Sequence, residues 1–275
     1  MTNQLPALGS LPATLAALPA VTVVCGHYGV GKTNFSINLA IDTARTGRQV
    51  TLIDMDVVNP YFRSSDYAYL VEAAGVKLIA PDYAGTALDT PVLSGAIEAA
   101  IDDAWAHPDR LLVIDAGGDD VGATALGRVS AHIAQGPYAF LYVVNGCREQ
   151  TRTPQEAAEL LPDIERQARL RATALVNNTH LARFTDEDVV DDGATFAEGV
   201  SSLLDMPVLA HTVPHFGPLA PAGATLAADS EEAALVRAIS AHHASAPAYL
   251  VQLYVRTPWE RDEQIPSRDT RVRGC

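Results

Sequence analysis

Eight consecutive residues, Gly26-His27-Tyr28-Gly29-Val30-Gly31-Lys32-Thr33, fit the pattern G-x-x-x-x-G-K-[ST]. Each residue type has a chemical reason to be there. Gly26, Gly29 and Gly31 permit the positive φ angles that turn successive backbone N–H groups inward, where they suit phosphate oxygens. Lys32 brings an ammonium able to bridge β- and γ-phosphates, and the Thr33 hydroxyl suits Mg²⁺. Asn34, the next residue, is counted with the same nucleotide-binding set. Two acidic corners lie downstream. Asp54-Met55-Asp56 closes one apolar run and offers two carboxylates to hold Mg²⁺ or orient water. Asp115 closes the run Leu111-Leu112-Val113-Ile114 and precedes Gly117-Gly118. That is the order of a Walker B aspartate followed by a glycine whose N–H senses the γ-phosphate.

These groups act together only if one edge of a scaffold gathers them. From residue 21 to about residue 240, short β-branched runs alternate with longer amphipathic stretches, the pattern of repeated βαβ units. The fold class expected is α/β, a doubly wound, mostly parallel sheet with helices on both faces. Strands are expected at 21–25, 49–54, 76–80, 111–115, 139–145, 172–177 and 208–213, several of them continuously apolar as doubly covered strands are. A helix is expected from Lys32 to Thr46, with Phe35 and Leu39, and Ile37 and Ile41, at i,i+4 spacing and Gly47 just past its end. A second follows Thr90-Pro91 and runs to His107-Pro108; a third begins near Thr153-Pro154 and carries Ala157, Leu160 and Leu161. In such folds ligands sit at the carboxyl ends of the strands, where the loop and both acidic corners fall. Residues 1–19 are expected to form an arm, 20–255 the nucleotide-binding domain and 256–275 a tail, although 249–255 is apolar enough to pack.

A chain of 275 residues with 48% hydrophobic content can bury a sizeable core within one domain. Its net charge of −14 and pI of about 4.8 repel phosphate backbones and anionic lipid, so neither nucleic acid nor membrane is expected as a partner. The arginines 261, 268, 271 and 273 are interleaved with Asp262, Glu263 and Asp269, as in a solvated tail. Cys25, Cys147 and Cys275 are odd in number and form no CxC or CxxC pair, which fits a reducing, cytoplasmic compartment. Cys25 and Cys147 are expected to behave as small buried hydrophobes. The first twenty residues lack a basic start and are broken by Pro6, Pro12 and Pro19, so no signal peptide is expected, and no apolar run reaches the length of a transmembrane helix. His211 and His215 are four apart, but Pro214 intervenes and the segment reads as strand, which disfavours a metal pair. His242-His243 and Asp119-Asp120 read as solvated side chains.

Over roughly residues 21–214 these motifs resemble the MinD/ParA-type branch of P-loop ATPases, the deviant-Walker A, SIMIBI-class proteins. The matching residues are Gly29-Val30-Gly31-Lys32-Thr33 with Ile37-Asn38-Leu39-Ala40, then Asp54-Met55-Asp56, then Asp115-Ala116-Gly117-Gly118. Leu175-Val176-Asn177-Asn178 is similar to the strand end where this branch carries an adenine-reading asparagine, and Val213-Pro214 to its late segment near the base. The strings Gly26-His27-Tyr28-Gly29, Val58-Asn59-Pro60-Tyr61-Phe62-Arg63 and Gly117-Gly118-Asp119-Asp120-Val121-Gly122 resemble one bacterial subgroup of it.

The resemblance implies ATP and Mg²⁺ as ligands. By it, Asp56 positions the attacking water, Asp54 supports the metal, Gly118 belongs to the second switch, and Asn177 and Pro214 meet the adenine. It also implies a nucleotide switch that acts on an unidentified protein client and forms a nucleotide-dependent homodimer. Dimeric members carry a second lysine where this chain has His27; Arg63 is the other cation available. Asn177 is not followed by the Lys-x-Asp of a guanine motif. A small-molecule kinase or ligase is the alternative on the same scaffold. A ParA-like positioning protein is disfavoured by the acidic balance, and a metallochaperone by the missing cysteine pair.

Overall fold

The apolar runs become strands because both of their faces are covered. The computed structural model describes residues 7, 9–56, 64–80, 91–117, 120–215, 217 and 224–255, with 91–94 and 120–124 described by backbone only. The strands are β1 (Val21–Cys25), β2 (Gln49–Met55), β3 (Lys77–Ile79), β4 (Arg110–Ala116), β5 (Tyr138–Val144), β6 (Ala174–Asn177), β7 (Val208–His215) and β8 (Ala248–Gln252). They form one parallel sheet in the order β3-β2-β4-β1-β5-β6-β7-β8. The helices are α1 (Ala13–Ala16), α2 (Lys32–Arg45), α3 (Ala68–Ala73), α4 (Pro91–Ala106), α5 (Asp120–Ile133), α6 (Pro154–Ala168), α7 (Glu187–Leu204) and α8 (Glu231–His242).

Side chains two apart on a strand share a face, and the two faces carry two cores. Val21, Val23 and Cys25 join Ile101 of α4, Leu126 of α5 and Leu161 of α6 on one side. Val24, Leu52 and Val113 pack against Phe35 and Leu39 of α2 on the other. The residues 50, 52, 54 of β2 and 111, 113, 115 of β4 follow that alternation, so Asp54 and Asp115 lie on the α2 side of the sheet.

Local signals fix the helix ends. Gly47 takes φ 92° and donates its N–H to the Ala44 carbonyl at 2.9 Å, which closes α2. Thr153 and Glu156 form a reciprocal capping box at the start of α6.

Three expectations change. The segment 249–255 is not merely packed: its first part is β8, paired in parallel with β7, and Tyr249 is fully buried with its ring edge-on to Phe35 at 6.3 Å. Near the start, Leu15 and Leu18 are buried in the α2-side core and the Thr14 hydroxyl donates to the Leu209 carbonyl at 2.6 Å, so residues 13–18 are part of the packed body. Cys147 is exposed, because the backbone turns out of the sheet after β5. Among the described residues no helix is long and apolar enough to cross a membrane.

Candidate functional site

β1 ends at Cys25, and the chain then turns sharply into α2 through residues 26–31. Gly26 has φ 148°, and a Cβ there would lie 2.4 Å from the Val143 carbonyl oxygen, so no side chain fits between the loop and β5. Gly31 caps α2 at φ 93°, and a Cβ there would lie 2.2 Å from Asn178 Nδ2. Asn178 holds the loop from behind. Its Nδ2 donates to the Val30 carbonyl at 2.7 Å, and its Oδ1 accepts from the Thr212 hydroxyl at 2.7 Å. Lys32 is buried and its Nζ donates to the His27 carbonyl at 3.1 Å, which folds the ammonium back over the loop. Thr33 is buried in the first turn of α2, whereas Tyr28 is 57% exposed at the tip.

The acidic corners meet because β2 and β4 are neighbours: Asp54 and Asp115 are directly paired in the register, and Val24 of β1 pairs with Asp115 on its other side. Asp115 is fully buried, accepting from Ser36 Oγ of α2 at 3.1 Å and from Ser64 Oγ at 2.6 Å. Burial, then the Asp54 charge, push its carboxyl up to about 7, against the pull of Ser64 and Lys32. Asp54 is raised as well, mainly by burial. Its two oxygens accept the N–H groups of Asp56, at 3.1 Å, and Ser65, at 2.9 Å. Asp54 therefore shapes the backbone on both sides of the 57–63 segment, and Asp56 is buried beside it. Among the described residues, Lys32 is the cation whose charge offsets part of this pair's burial cost at Asp115.

The residues expected at the base are placed differently from one another. Asn177 closes β6, but its amide is committed to the fold: Nδ2 lies 3.0 Å from His211 Nδ1 and Oδ1 accepts the Thr179 N–H at 3.1 Å. The His211 Nδ1 is thus an acceptor, its buried Nε2 has no partner among the described residues, and burial draws the pKa down to about 4. His180, just past β6, is likewise drawn down to about 4 by burial, with Arg148 adding to the effect. Pro214 is buried inside β7 opposite Val251. His215 pairs with Glu232, so His211 and His215 have separate partners, and no cluster suited to a metal ion occurs among the described residues. His243 is not solvated: it is 6% exposed and lies between Glu198 and Asp191.

Asn34 turns away from the loop. Its Oδ1 accepts the N–H groups of Tyr254 and Val255, at 2.9 and 3.1 Å. Asn38, one turn on, exchanges hydrogen bonds with the Gln252 backbone, and Asp42, a further turn on, accepts from the Tyr249 hydroxyl at 2.8 Å. A polar row on α2 thus binds it to β8 and the residues beyond. Gly118, Asp119, Thr90, Cys275, the arginines of 261–273 and the Val58–Arg63 string lie outside the described residues, as does the side chain of Asp120.

Ser36, Ser64 and Asn178 were not singled out by the sequence. Asn178 belongs to the string Leu175-Val176-Asn177-Asn178, whose family resemblance implies a role for Asn177 alone.

The model of the CobQ/CobB/MinD/ParA nucleotide-binding domain matches residues 21–216. An iron-sulfur cluster carrier protein of Deinococcus radiodurans is 36% identical over 124 residues, covering 37% of this chain. The match spans about a third, 35%, of that relative's own length. Among solved structures, the signal recognition particle receptor FtsY of Elizabethkingia anophelis in complex with GDP has 20% identity and a TM-score of 0.48 over 71% of this chain and 57% of that one. The 54 kDa signal recognition particle protein of Aeropyrum pernix in complex with GDP has 16% identity and a TM-score of 0.47, over 71% and 43%.

Proposed function

Because this chain belongs to the CobQ/CobB/MinD/ParA nucleotide-binding domain family, we propose that it is a Mg²⁺-dependent ATPase working as a switch that a protein partner reads. The observation that carries this reading is the direct pairing of Asp54 with Asp115 at the foot of the glycine loop, both buried and both with carboxyls raised by that burial. A hard divalent cation fits that oxygen donor set. Thr33, Asp115 and Asp54 are the residues that would hold it. Bound Mg²⁺ would supply charge neutralisation on the β- and γ-phosphate oxygens.

The chain's own groups do the rest. The inward N–H groups of residues 26–31 bind the phosphates, and Lys32, released from the His27 carbonyl, moves its charge onto them. Asp56 orients a water whose oxygen bonds to the γ-phosphorus as the bridging bond to ADP breaks, leaving ADP and inorganic phosphate. Asp54 positions Asp56 through the backbone bond between them. Gly118 is assigned to γ-phosphate sensing, and Pro214 to the neighbourhood of the base. Adenine over guanine is supported by the family resemblance and by the absence of Lys-x-Asp after Asn177; Asn177 itself would have to exchange its partners to read a base. Asn34, proposed at the site from its position, is better read as the link from α2 to residues 254–255. A nucleotide-dependent homodimer is the assembly that the family resemblance implies, and Tyr28 is exposed at the loop tip.

A switch of this kind turns over slowly; about 0.01 s⁻¹ corresponds to a barrier near 20 kcal/mol. The test is phosphate release from ATP and GTP by wild type and Lys32→Ala, alone and with candidate small acceptors. Slow release from ATP that needs Lys32 and ignores acceptors is expected. Strong acceleration by one metabolite would replace the switch with a kinase or ligase. The cluster carriage named for the Deinococcus relative is disfavoured here by the lack of a CxC or CxxC pair in the sequence.

A further inference from the structure

At the opposite edge of the sheet, where β2, β3 and β4 begin, a cavity of about 430 Å³ opens. Three cationic side chains line it: Arg48, Lys77 and Arg110. Asp103 is the one carboxylate among its lining residues. In a chain of net charge −14 this is a local reversal of sign. Alanines 44, 74, 100 and 104 border the space, so the arginines line a void that larger side chains would fill.

The two guanidiniums are only partly used by the protein. Arg48 donates one terminal N–H to the Arg110 carbonyl at 2.7 Å, and Arg110 pairs with Asp103. The Nε of each is buried and has no hydrogen-bond partner among the described residues. No ion pair with Lys77 occurs among those residues. A buried N–H without an acceptor costs about 1–3 kcal/mol, so the fold holds both guanidiniums at this cavity at a cost. Burial also pulls the Arg48 pKa down, with Asp109 opposing, a cost that an anion beside it would offset. The carboxyl ends of α2 and α3 reach this edge and add negative potential; the Arg48 bond to a carbonyl answers part of that, but leaves Lys77 and one terminal nitrogen of each arginine without a partner among the described residues.

We propose that this cavity binds a small anionic metabolite, a phosphate ester or polycarboxylate, through Arg48, Arg110 and Lys77. Guanidinium N–H forks match carboxylate and phosphate oxygens, and the volume lies in the range of small-molecule pockets. This site is separate from the glycine loop, which sits at the other end of β1.

The test uses the full chain with ADP and Mg²⁺ present, so that added anions do not compete for the glycine loop. The Nε–H signals of Arg48 and Arg110 are followed by NMR as inorganic phosphate, citrate or sodium chloride is added at matched ionic strength. Both signals should shift saturably with phosphate or citrate and not with chloride. Lys77→Gln, at an exposed residue, should weaken the apparent affinity by about fivefold. A response to phosphate alone identifies a phosphate ester as the ligand class, and a response to citrate alone identifies a polycarboxylate. Shifts that follow ionic strength whatever the anion would overturn the assignment. So would a saturable Arg110 response that is unchanged in Arg48→Gln/Lys77→Gln.

Discussion

Asn178→Ala removes two buried hydrogen bonds at once, one to the Val30 carbonyl of the phosphate loop and one from the Thr212 hydroxyl of β7. Asn178 is 1% exposed, so water does not readily replace either. Leaving a buried polar group unsatisfied costs about 1–3 kcal/mol, which puts the loss of folding stability at roughly 2–6 kcal/mol. Only the Val30 bond bears on nucleotide. Its net worth of about 0.5–1.5 kcal/mol sets how far the loop drifts from its binding-competent shape, and affinity falls with the competent fraction, by about 2- to 12-fold. Urea unfolding gives the first quantity, and titration with a fluorescent ATP analogue in Mg²⁺ gives the second, on wild type and variant. Asn178→Asp is the control: it keeps the acceptor for Thr212 but sets a carboxylate oxygen against the Val30 carbonyl and adds negative charge near the phosphates, so it should lose more affinity than alanine does. A variant that unfolds earlier yet binds the nucleotide with unchanged Kd would refute the view that this side chain shapes the loop.

Two further outcomes follow from buried titrating groups. The raised carboxyl of Asp115 keeps a proton in the folded state that the unfolded chain has lost above its ordinary value of 3.8, so metal-free protein loses stability as pH rises toward 7. In EDTA, Asp115→Asn should gain on wild type by about 3 kcal/mol between pH 5 and pH 8; a gap that does not change with pH would contradict the assignment. His211 has the opposite sign. Its pKa is drawn down to about 4 from 6.5, so stability is complete above 6.5 and is lost as pH falls toward 4. His211→Asn keeps an acceptor for Asn177 and should narrow its deficit against wild type by about 2 kcal/mol from pH 8 to pH 5 in urea titrations, and a constant deficit would count against a buried neutral imidazole.

What could be read from residues alone was what neighbours in sequence decide. The glycine-rich turn from β1 into α2, the helix start at Thr153-Pro154 and the glycine end of α2 are set within a few residues, and each lies where its types and spacing put it. The pairing of Asp54 with Asp115 was half legible: two apolar runs each ending in aspartate pointed to one sheet edge, but their adjacency depends on β2 lying next to β4. β8 escaped because a five-residue apolar run with no motif after it looks the same whether it pairs or merely packs. Asn34, beside Thr33 in the sequence, carries a second determinant that its neighbours do not reveal. Where its amide points is decided by residues 254 and 255, more than two hundred positions away. Asn177 and Asn178 show the same limit: two identical side chains in succession face opposite ways from a strand end, and only the surrounding strands say which one reaches the loop.

The polar row on α2 has a consequence for how the chain is made. Asn34, Asn38 and Asp42 each bond to residues within 249–255, and the Asn38 bonds to Gln252 span 214 positions. At about 5–20 residues per second, a ribosome needs roughly 10–40 s to supply that segment after Asn38 has emerged. Through that interval the helix behind the phosphate loop holds three polar side chains over an open flank of the sheet, although every residue of the loop itself has already been synthesised. The flank of α2 behind the phosphate loop is therefore closed by β8, long after the loop's own motif has been made.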